Sequence, residues 1–360
     1  MLARAGLVAL VCLAAACKRP PAPASDQDGR AALQQTIEQV VLPTYQELDA
    51  SARELSLQLD ALGPASPASE LTQVREAYRG ARLPLEQAAA FAFGPAVELG
   101  SGPLLDQSPI DSAKVDAELA GKAELTPAYL RSLGARARGL HAAEYLLFPE
   151  DDPRLDLQLL DDGVAGARRR QYLSSVGQIV AEAARDLQRA WAPQQGDYGR
   201  RFSEPGKPDS VLGTAQAGID LLLMESVFLS EAVADTKLGR PRRRAPVVAE
   251  LDRAGSSLLD ARANLLGMRH VYQGNRDGSA TPSISSLVRA KRASTDARVL
   301  AAFDAAELAL GSMPDSAEGA SPGPGAEAAF EAIKSLRRLL ATEVLGALGS
   351  SLALDIHDGD

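Results

Sequence analysis

The stretch VLPTYQELDASARELSLQL, residues 41–59, carries the pattern that sets the fold class. With the turn before it, it places apolar side chains at helical spacing: Ile37, Val40, Val41, Tyr45, Leu48, Ala52, Leu55 and Leu59. Residues three and four positions apart lie on one face of an α-helix, so the spacing predicts an amphipathic helix. Pro43 interrupts the pattern, and it predicts either a kink or a new helix start at this point.

The same spacing recurs along the 360 residues and predicts helices at about 70–93, 126–148, 165–191, 210–236, 247–270, 284–310 and 326–349. Aromatic residues make up only 4% of the chain, and helix-favouring Ala, Leu and Glu are abundant, so little is left to build a sheet. We therefore predict an all-α fold of two antiparallel helical bundles, at 30–191 and 210–360. A polar, turn-rich linker at 192–209 would join them.

The first residues, MLARAGLVALVCLAAAC, are typical of an export signal. Arg4 precedes an apolar run at 6–16 that is too short to span a bilayer. Small residues directly before Cys17 resemble a bacterial lipobox, in which residues 1–16 are cleaved off and the cysteine thiol receives a lipid. We expect Cys17 to anchor the protein, with residues 17–29 as a flexible tether; plain secretion is the alternative. Cys12 lies in the cleaved part, so the mature chain could form no internal disulfide.

The hexapeptide GLHAAE, residues 139–144, is the strongest candidate site. His141 and Glu144 are three positions apart on a predicted helix, so they share one face. An imidazole beside a carboxylate can hold a transition metal, as Glu-x-x-His does in helical bundles, although the order here is reversed. A surface His–Glu pair is the alternative interpretation. Gly139, predicted to lie within the helix, would let another backbone or a ligand approach.

Hydrolase chemistry has no visible candidate residues. Ala142 and Tyr145 stand where the zinc-peptidase pattern H-E-x-x-H requires Glu and His. No G-x-S-x-G motif occurs, and the single mature cysteine lies at the expected N-terminus. The net charge of −9 makes nucleic acid an improbable partner, because an acidic surface repels phosphates.

Six further segments, together with GLHAAE, occur along the chain in an order that is typical of one protein family. They are VLPTYQELDASARELSLQL (41–59), YRGARLPLEQAAAFAFGP (78–95), PIDSAKVD (109–116), RRRQYL (168–173), ANLLGMRHVYQG (263–274) and LALDIHDGD (352–360). Together they resemble the imelysin family of bacterial envelope proteins, also called iron-regulated proteins, whose hallmark is G-x-H-x-x-E. Tyr78 and Leu85 stand where that family usually has Trp.

The resemblance implies an all-α, two-bundle fold, a periplasm-facing envelope location and a role related to iron. It implies His141 and Glu144 as metal ligands, with Glu86 and Asp111 as further candidates because each lies in a segment that the family pattern marks. The expected cofactor is a divalent metal ion, with iron ahead of zinc or copper. Components of iron uptake are the partners that the resemblance suggests.

Three functions remain open at this point. The first is a metal-binding envelope lipoprotein. An Asp directly after the lipidated cysteine often retains lipoproteins at the inner membrane, and Lys18 stands at that position here, which favours the outer membrane. The second is a metallopeptidase using His141 and Glu144, although one His and one Glu do not make a three-ligand zinc centre with a base. The third is a scaffold lipoprotein with a degenerate site. The sequence assigns no role to the C-terminal cluster of Asp355, His357, Asp358 and Asp360.

Overall fold

A computed structural model describes residues 26–148, 159–238, 254, 257–313 and 324–350. Regular structure in these ranges is helical and includes no strand, which confirms the all-α class. No helix within the same ranges is long and apolar enough to cross a bilayer. The export signal, Cys17 and the acidic C-terminal cluster lie outside the described residues.

The α-helices in these ranges follow one another along the chain. They are α1 (Asp26–Thr36), α2 (Leu42–Ala61), α3 (Ala68–Ala88), α4 (Pro95–Glu98), α5 (Gly102–Leu105), α6 (Ser112–Ala120), α7 (Pro127–Ser132), α8 (Leu140–Leu147), α9 (Val164–Trp191), α10 (Tyr198–Ser203), α11 (Ala215–Glu231), α12 (Ser257–Gln273), α13 (Ile284–Gly311), α14 (Pro324–Arg338) and α15 (Leu345–Leu348). Short 3-10 turns occupy Ala89–Phe91 and Ala135–Ala137. Wider π-helical segments occupy Ile37–Val41, Ala232–Leu238 and Leu339–Val344.

Pro43 does not begin a new helix. The helical backbone runs without a break from Asp26 to Ala61, with Val41 and Leu42 both in α-helical conformation, and the interruption predicted at Pro43 takes the form of the π-helical segment Ile37–Val41 directly before it. The apolar stripe that continues from Tyr45 to Leu59 is buried along α2. Periodicity therefore located both the helix and its buried face.

Helices α2, α3 and α9 form the core of the N-terminal half. Helices α2 and α9 run antiparallel, since Ser174 near the start of α9 meets Asp60 at the end of α2, while Trp191 at the end of α9 stacks on Tyr45. Gly177 lets the two backbones approach: a Cβ there would lie 3.1 Å from the Cα of Ser56.

Helices α11 to α14 form the core of the C-terminal half. Helices α12 and α13 are antiparallel, because Arg262 donates to the Leu310 carbonyl and Tyr272 donates to Asp296. The two halves meet where α3 crosses α12. Gly267 lies at that crossing, and any Cβ there would overlap the carbonyl oxygen of Gln87.

Parts of the predicted tether and of the predicted linker are helical and packed. Helix α1 begins at Asp26, and Gly29 is buried against Ala215 of α11, so the last residues of the predicted tether are helical. Helix α10 lies inside the predicted linker 192–209, with Tyr198 and Phe202 buried beside Trp191. The tether prediction is wrong for residues 26–29, and the linker contains a packed helix at 198–203, because a polar composition concealed a few residues that pack. The division of the chain into two domains at this stretch stays a prediction.

The prediction of one continuous helix at 126–148 is also wrong. Its start is confirmed, since Thr126 Oγ1 accepts from the Tyr129 N–H and Pro127 lies in the first turn of α7. Gly134 and Gly139 then adopt positive φ angles of 94° and 78°, which end helical hydrogen bonding between α7 and α8. The GLHAAE motif therefore lies at a helix start and not in a helix interior.

Candidate functional site

Gly139 positions the motif by beginning α8. Its φ of 78° and ψ of −172° belong to a region that is open essentially to glycine alone. A Cβ at this position would lie 2.8 Å from the carbonyl oxygen of Leu105 and 3.3 Å from the backbone nitrogen of Asp106. The close approach expected from this glycine is thus made by the backbone at the end of α5, and it brings Asp106 beside the first turn of α8.

His141 and Glu144 form a buried pair on α8. The imidazole Nδ1 lies 3.1 Å from Glu144 Oε2, and the two residues are only 4% and 1% exposed. Their burial makes the surface-pair interpretation wrong. Glu144 Oε1 accepts a hydrogen bond of 3.0 Å from the Ala254 N–H, so the carboxylate that faces the imidazole is itself held from the C-terminal half.

Asp106 is the second carboxylate at the imidazole. Its Oδ1 lies 3.2 Å from His141 Nε2, and its Oδ2 accepts from Arg82 Nη1 at 3.2 Å. The two ring nitrogens of His141 therefore face two different carboxylates.

Arg82, on α3, is the cation that joins the carboxylates. Its Nε lies 3.0 and 3.1 Å from the two oxygens of Asp260, and its Nη2 donates to Asp260 at 2.7 Å and to Glu86 at 2.6 Å. Burial alone would lower the pKa of Arg82, but the carboxylates, led by Asp106, outweigh it and raise that pKa well above its usual range. The guanidinium is therefore a permanent charge in the protein interior.

Glu86, one of the predicted ligands, lies in this cluster but is engaged by cations. Its Oε2 accepts from Lys237 Nζ and from Asn264 Nδ2, each at 2.8 Å. Burial acts to raise the pKa of Glu86, yet Lys237 and Arg82 outweigh burial and lower the pKa to about 2. Within the described part of the chain, Glu86 is connected to His141 through Arg82 and Asp106.

Asp111, the other predicted acid, lies elsewhere. It is exposed, and its Oδ1 accepts from the Lys114 N–H at 3.0 Å as the N-cap of α6. Such a cap satisfies a free backbone donor at a helix start. The structure does not bring Asp111 to the imidazole, and Asp106, five residues earlier, takes the place expected of it.

Among the described residues, the buried charges of the cluster do not balance. Its carboxylates and its permanent cations are Glu86, Asp106, Glu144 and Asp260 against Arg82 and Lys237. Burial raises the pKa of Asp260 to about 6, so this acid is still ionised at neutral pH. With a neutral imidazole, the cluster carries an excess of two negative charges, which equals the charge that one divalent cation would neutralise.

Two buried polar atoms of the cluster, Tyr78 Oη and Asn264 Oδ1, have no hydrogen-bond partner among the described residues, and Asp106 Oδ1 is approached there by the imidazole of His141 at 3.2 Å. Burial raises the pKa of Tyr78 well above its usual range, and the nearby carboxylates add to the effect, so its hydroxyl stays neutral. Unsatisfied buried polar atoms are costly, and they point to a polar species at this place.

The donor chemistry fits a metal ion in part. Within the described ranges, no three His, Cys, Asp or Glu side chains are arranged to hold a metal together. Two donors do face one another, His141 Nε2 and Asp106 Oδ1, and a cation held by two protein ligands can complete its shell with water. The Glu144 carboxylate at Nδ1 matches the outer-shell partner that orients a metal-bound imidazole.

Sequence reasoning missed much of the cluster: Arg82, Asp106, Lys237, Asp260 and Asn264. A signal was present for some of them. Arg82 and Glu86 are four positions apart within ARLPLE, and Asp260 and Asn264 are four apart within LLDARANLL, on otherwise apolar helix faces. Charged residues at buried helical positions indicate a paired cluster, but nothing in the spacing joins one helix to the other.

The fold and this cluster define an all-helical protein with one buried imidazole held among carboxylates and an arginine. The sequence profile of the imelysin family, Peptidase M75, matches residues 41–342, so the chain belongs to the imelysin family. The resemblance found in the sequence is thereby confirmed.

Relatives of the chain agree with this assignment. A protein named iron-regulated protein A, from Synechococcus elongatus, is 28% identical over 317 residues, which are 87% of this chain and 83% of the relative. A putative iron-regulated protein A precursor from Parabacteroides distasonis has the same fold, with a TM-score of 0.78 and 20% identity over 92% of this chain and 97% of that one. An imelysin-like protein from Psychrobacter arcticum also has this fold, with a TM-score of 0.71 and 16% sequence identity over 92% of this chain and 98% of that one.

Proposed function

We propose that this protein is an imelysin-family envelope lipoprotein that binds a divalent metal ion, with iron as the first candidate, through its GxHxxE helix. The observation that carries the proposal is the buried excess of two negative charges that the described residues place around the imidazole of His141. Buried charge without compensation is strongly unfavourable, and a divalent cation is the simplest species that would remove it.

The roles of the residues follow from their contacts. His141 Nε2 and Asp106 Oδ1 are the proposed ligands, Glu144 orients the imidazole, and Arg82 holds the second oxygen of Asp106. Nitrogen and oxygen donors without a thiolate are compatible with iron, zinc and copper, and affinity order does not choose among them. The name of the Synechococcus relative supports iron. The ion is cargo in this proposal, in keeping with a place in iron uptake.

The lipobox-like residues before Cys17 support a lipid anchor, with the helical part facing the periplasm and the outer membrane as the favoured site. In this location the protein would meet metal ions that enter the envelope and hand them to uptake components. A metallopeptidase would need a further ligand and a general base. Cleavage of an unfolded substrate that stops on adding chelator, and that is lost in His141→Ala, would establish that activity instead.

Calorimetric titration with Fe(II) under anaerobic conditions, and with Zn(II) and Cu(II), tests the proposal. His141→Ala should abolish binding, and Glu144→Gln should weaken it by roughly 10- to 100-fold, the usual effect of removing an outer-shell partner. Metal should also raise the melting temperature of the wild type, since it binds the folded state. Acidification should weaken binding, because a proton competes with the metal for the imidazole.

His270→Ala is the matched control. His270 is also a buried histidine, on α12, and is 7% exposed, yet the described residues give it no contact with the cluster. Its removal should leave metal affinity unchanged in folded protein. If His141→Ala binds metal as the wild type does, the cluster is a structural ion network and the scaffold function applies.

A further inference from the structure

Two cavities adjoin the charged cluster. The Asp106 cavity, of about 180 Å³, is bounded by α2, α3, α5 and α9 and includes Tyr45, Glu86, Ala92, Gly102 and Asp106 in its lining. The Arg262 cavity, of about 260 Å³, lies between α3 and α12. Its lining includes Arg79, Arg82, Leu83, Asp260 and Arg262.

The two linings have opposite charge. The charged residues of the Asp106 cavity are Glu86 and Asp106, and no basic side chain of the described residues lines it. The Arg262 cavity has three arginines against the single acid Asp260. A cation that enters the Arg262 cavity meets three guanidinium groups and is repelled, because low-dielectric walls strengthen the field of the charges that line them. A cation that enters the Asp106 cavity meets the carboxylates of Glu86 and Asp106, which also bind Arg82 and Lys237, so this cavity is the more favourable of the two for a cation.

Of these two cavities, the Asp106 cavity is the one lined by a residue that faces the imidazole. Asp106 lines this cavity, and its buried Oδ1 lies 3.2 Å from His141 Nε2, so the carboxylate lies between the cavity and the imidazole. In the Arg262 cavity, Arg82 and Asp260 are paired with each other, so the guanidinium separates that cavity from Asp106.

We propose that a divalent cation reaches His141 through the Asp106 cavity, whose acidic lining selects for positive charge, and that the Arg262 cavity is closed to cations. This route rests on the proposed metal-binding function. Small residues make up part of its walls: Ala88, Ala89, Ala92 and Gly102. Ala92 is exposed, so its side chain lies at the mouth and can be altered without disturbing the core.

The test places a charge at each mouth in turn. Ala92→Lys and Ala92→Glu alter the Asp106 cavity, and Leu83→Lys and Leu83→Glu are the matched controls, since Leu83 is 50% exposed in the Arg262 cavity lining. Metal-free protein is mixed with Zn(II) in a stopped-flow instrument, and a fluorescent dye reports the free Zn(II). Equilibrium affinity is measured separately for each variant.

Ala92→Lys should slow association, and Ala92→Glu should speed it, by roughly two- to fivefold at low ionic strength, the effect of one unit charge on a divalent ion across water. The difference should shrink at high salt, because salt screens exposed charges. The Leu83 variants should associate at the wild-type rate. If the Leu83 pair changes the rate and the Ala92 pair does not, or if neither pair does while Zn(II) still binds, the route is wrong. If the wild type binds no metal at equilibrium, the proposed function fails and the route fails with it.

Discussion

Replacing Gly139 by alanine should destabilise the protein for two separable reasons. The first is conformational: φ 78° with ψ −172° costs a residue with a Cβ about 1–3 kcal/mol. The second is steric: the new methyl carbon would lie 2.8 Å from the Leu105 carbonyl oxygen, which belongs to the backbone and cannot rotate away. Overpacking of this kind costs about another 1–3 kcal/mol.

Gly134 separates the two contributions. It has nearly the same backbone conformation, with φ 94° and ψ 160°, but a Cβ there would meet no atom within 4 Å. Gly134→Ala should therefore show the conformational cost alone. Gly80 lies within α3, exposed and with open space around it, so Gly80→Ala should stabilise the protein by about 0.5–1 kcal/mol.

Urea unfolding of the metal-free proteins measures all three changes, and the expected order of stability is Gly80→Ala, wild type, Gly134→Ala, Gly139→Ala. Because the backbone of Asp106 must move to admit the methyl group, metal binding should also weaken in Gly139→Ala and not in Gly134→Ala. Equal losses of stability for Gly134→Ala and Gly139→Ala would refute the close approach of α5 to the start of α8.

Arg82→Leu should lower the free energy of unfolding by roughly 3–5 kcal/mol, because the buried carboxylates lose their cation. The control Arg276→Leu removes an exposed ion pair with Glu47 and should lower it by less than about 1 kcal/mol. Equal losses for the two variants in urea unfolding would contradict the importance of the buried cation. Burial raises the pKa of Asp260 to about 6, above the value near 3.9 of an unfolded chain, so its contribution to stability is complete below about pH 4 and is lost as the pH rises through 6. Between pH 5 and 7, the free energy of unfolding of the wild type in chelator should fall more steeply than that of Asp260→Asn, and parallel curves would show that this acid does not take up the proton. Cys17→Ser should move the protein from the detergent-extracted membrane fraction to the soluble fraction with its circular dichroism unchanged; continued membrane association would exclude a lipid anchor at this residue.

Helices with a continuous apolar stripe could be predicted from the sequence almost to the residue. Helix α9 was expected at 165–191 and occupies Val164–Trp191, because nothing in that stretch opposes helical hydrogen bonding. The stretch 126–148 failed because Gly134 and Gly139 take positive φ angles, and a glycine within an apolar pattern does not reveal its φ. Tertiary contact with α5 decides the conformation at Gly139.

The site was predicted only as far as local spacing reaches. His141 and Glu144 are neighbours on one helix, so their pairing follows from the sequence. The acid beside the imidazole is Asp106 and not the predicted Asp111. The packing of α5 against α8 determines which carboxylate lies there, and the spacing of acids in the sequence does not reveal that packing. Asp260 comes from a helix far along the chain, and its approach depends on the glycine crossing between α3 and α12.

The π-helical segment Ala232–Leu238 lets its helix absorb a change of length. A π-turn holds one residue more than an α-helical turn, whereas in an α-helix each residue turns the chain by about 100°. Deleting one exposed residue there, such as Asp235, would let the chain return to α-helical hydrogen bonding and would leave the residues beyond the deletion near their present orientation. Lys237 would then keep its ammonium group on the side of Glu86. The same deletion in the regular helix α11 would instead turn every later residue by about 100°, so this helix can change its length during evolution at the π-helical segment with the least damage to the charged cluster.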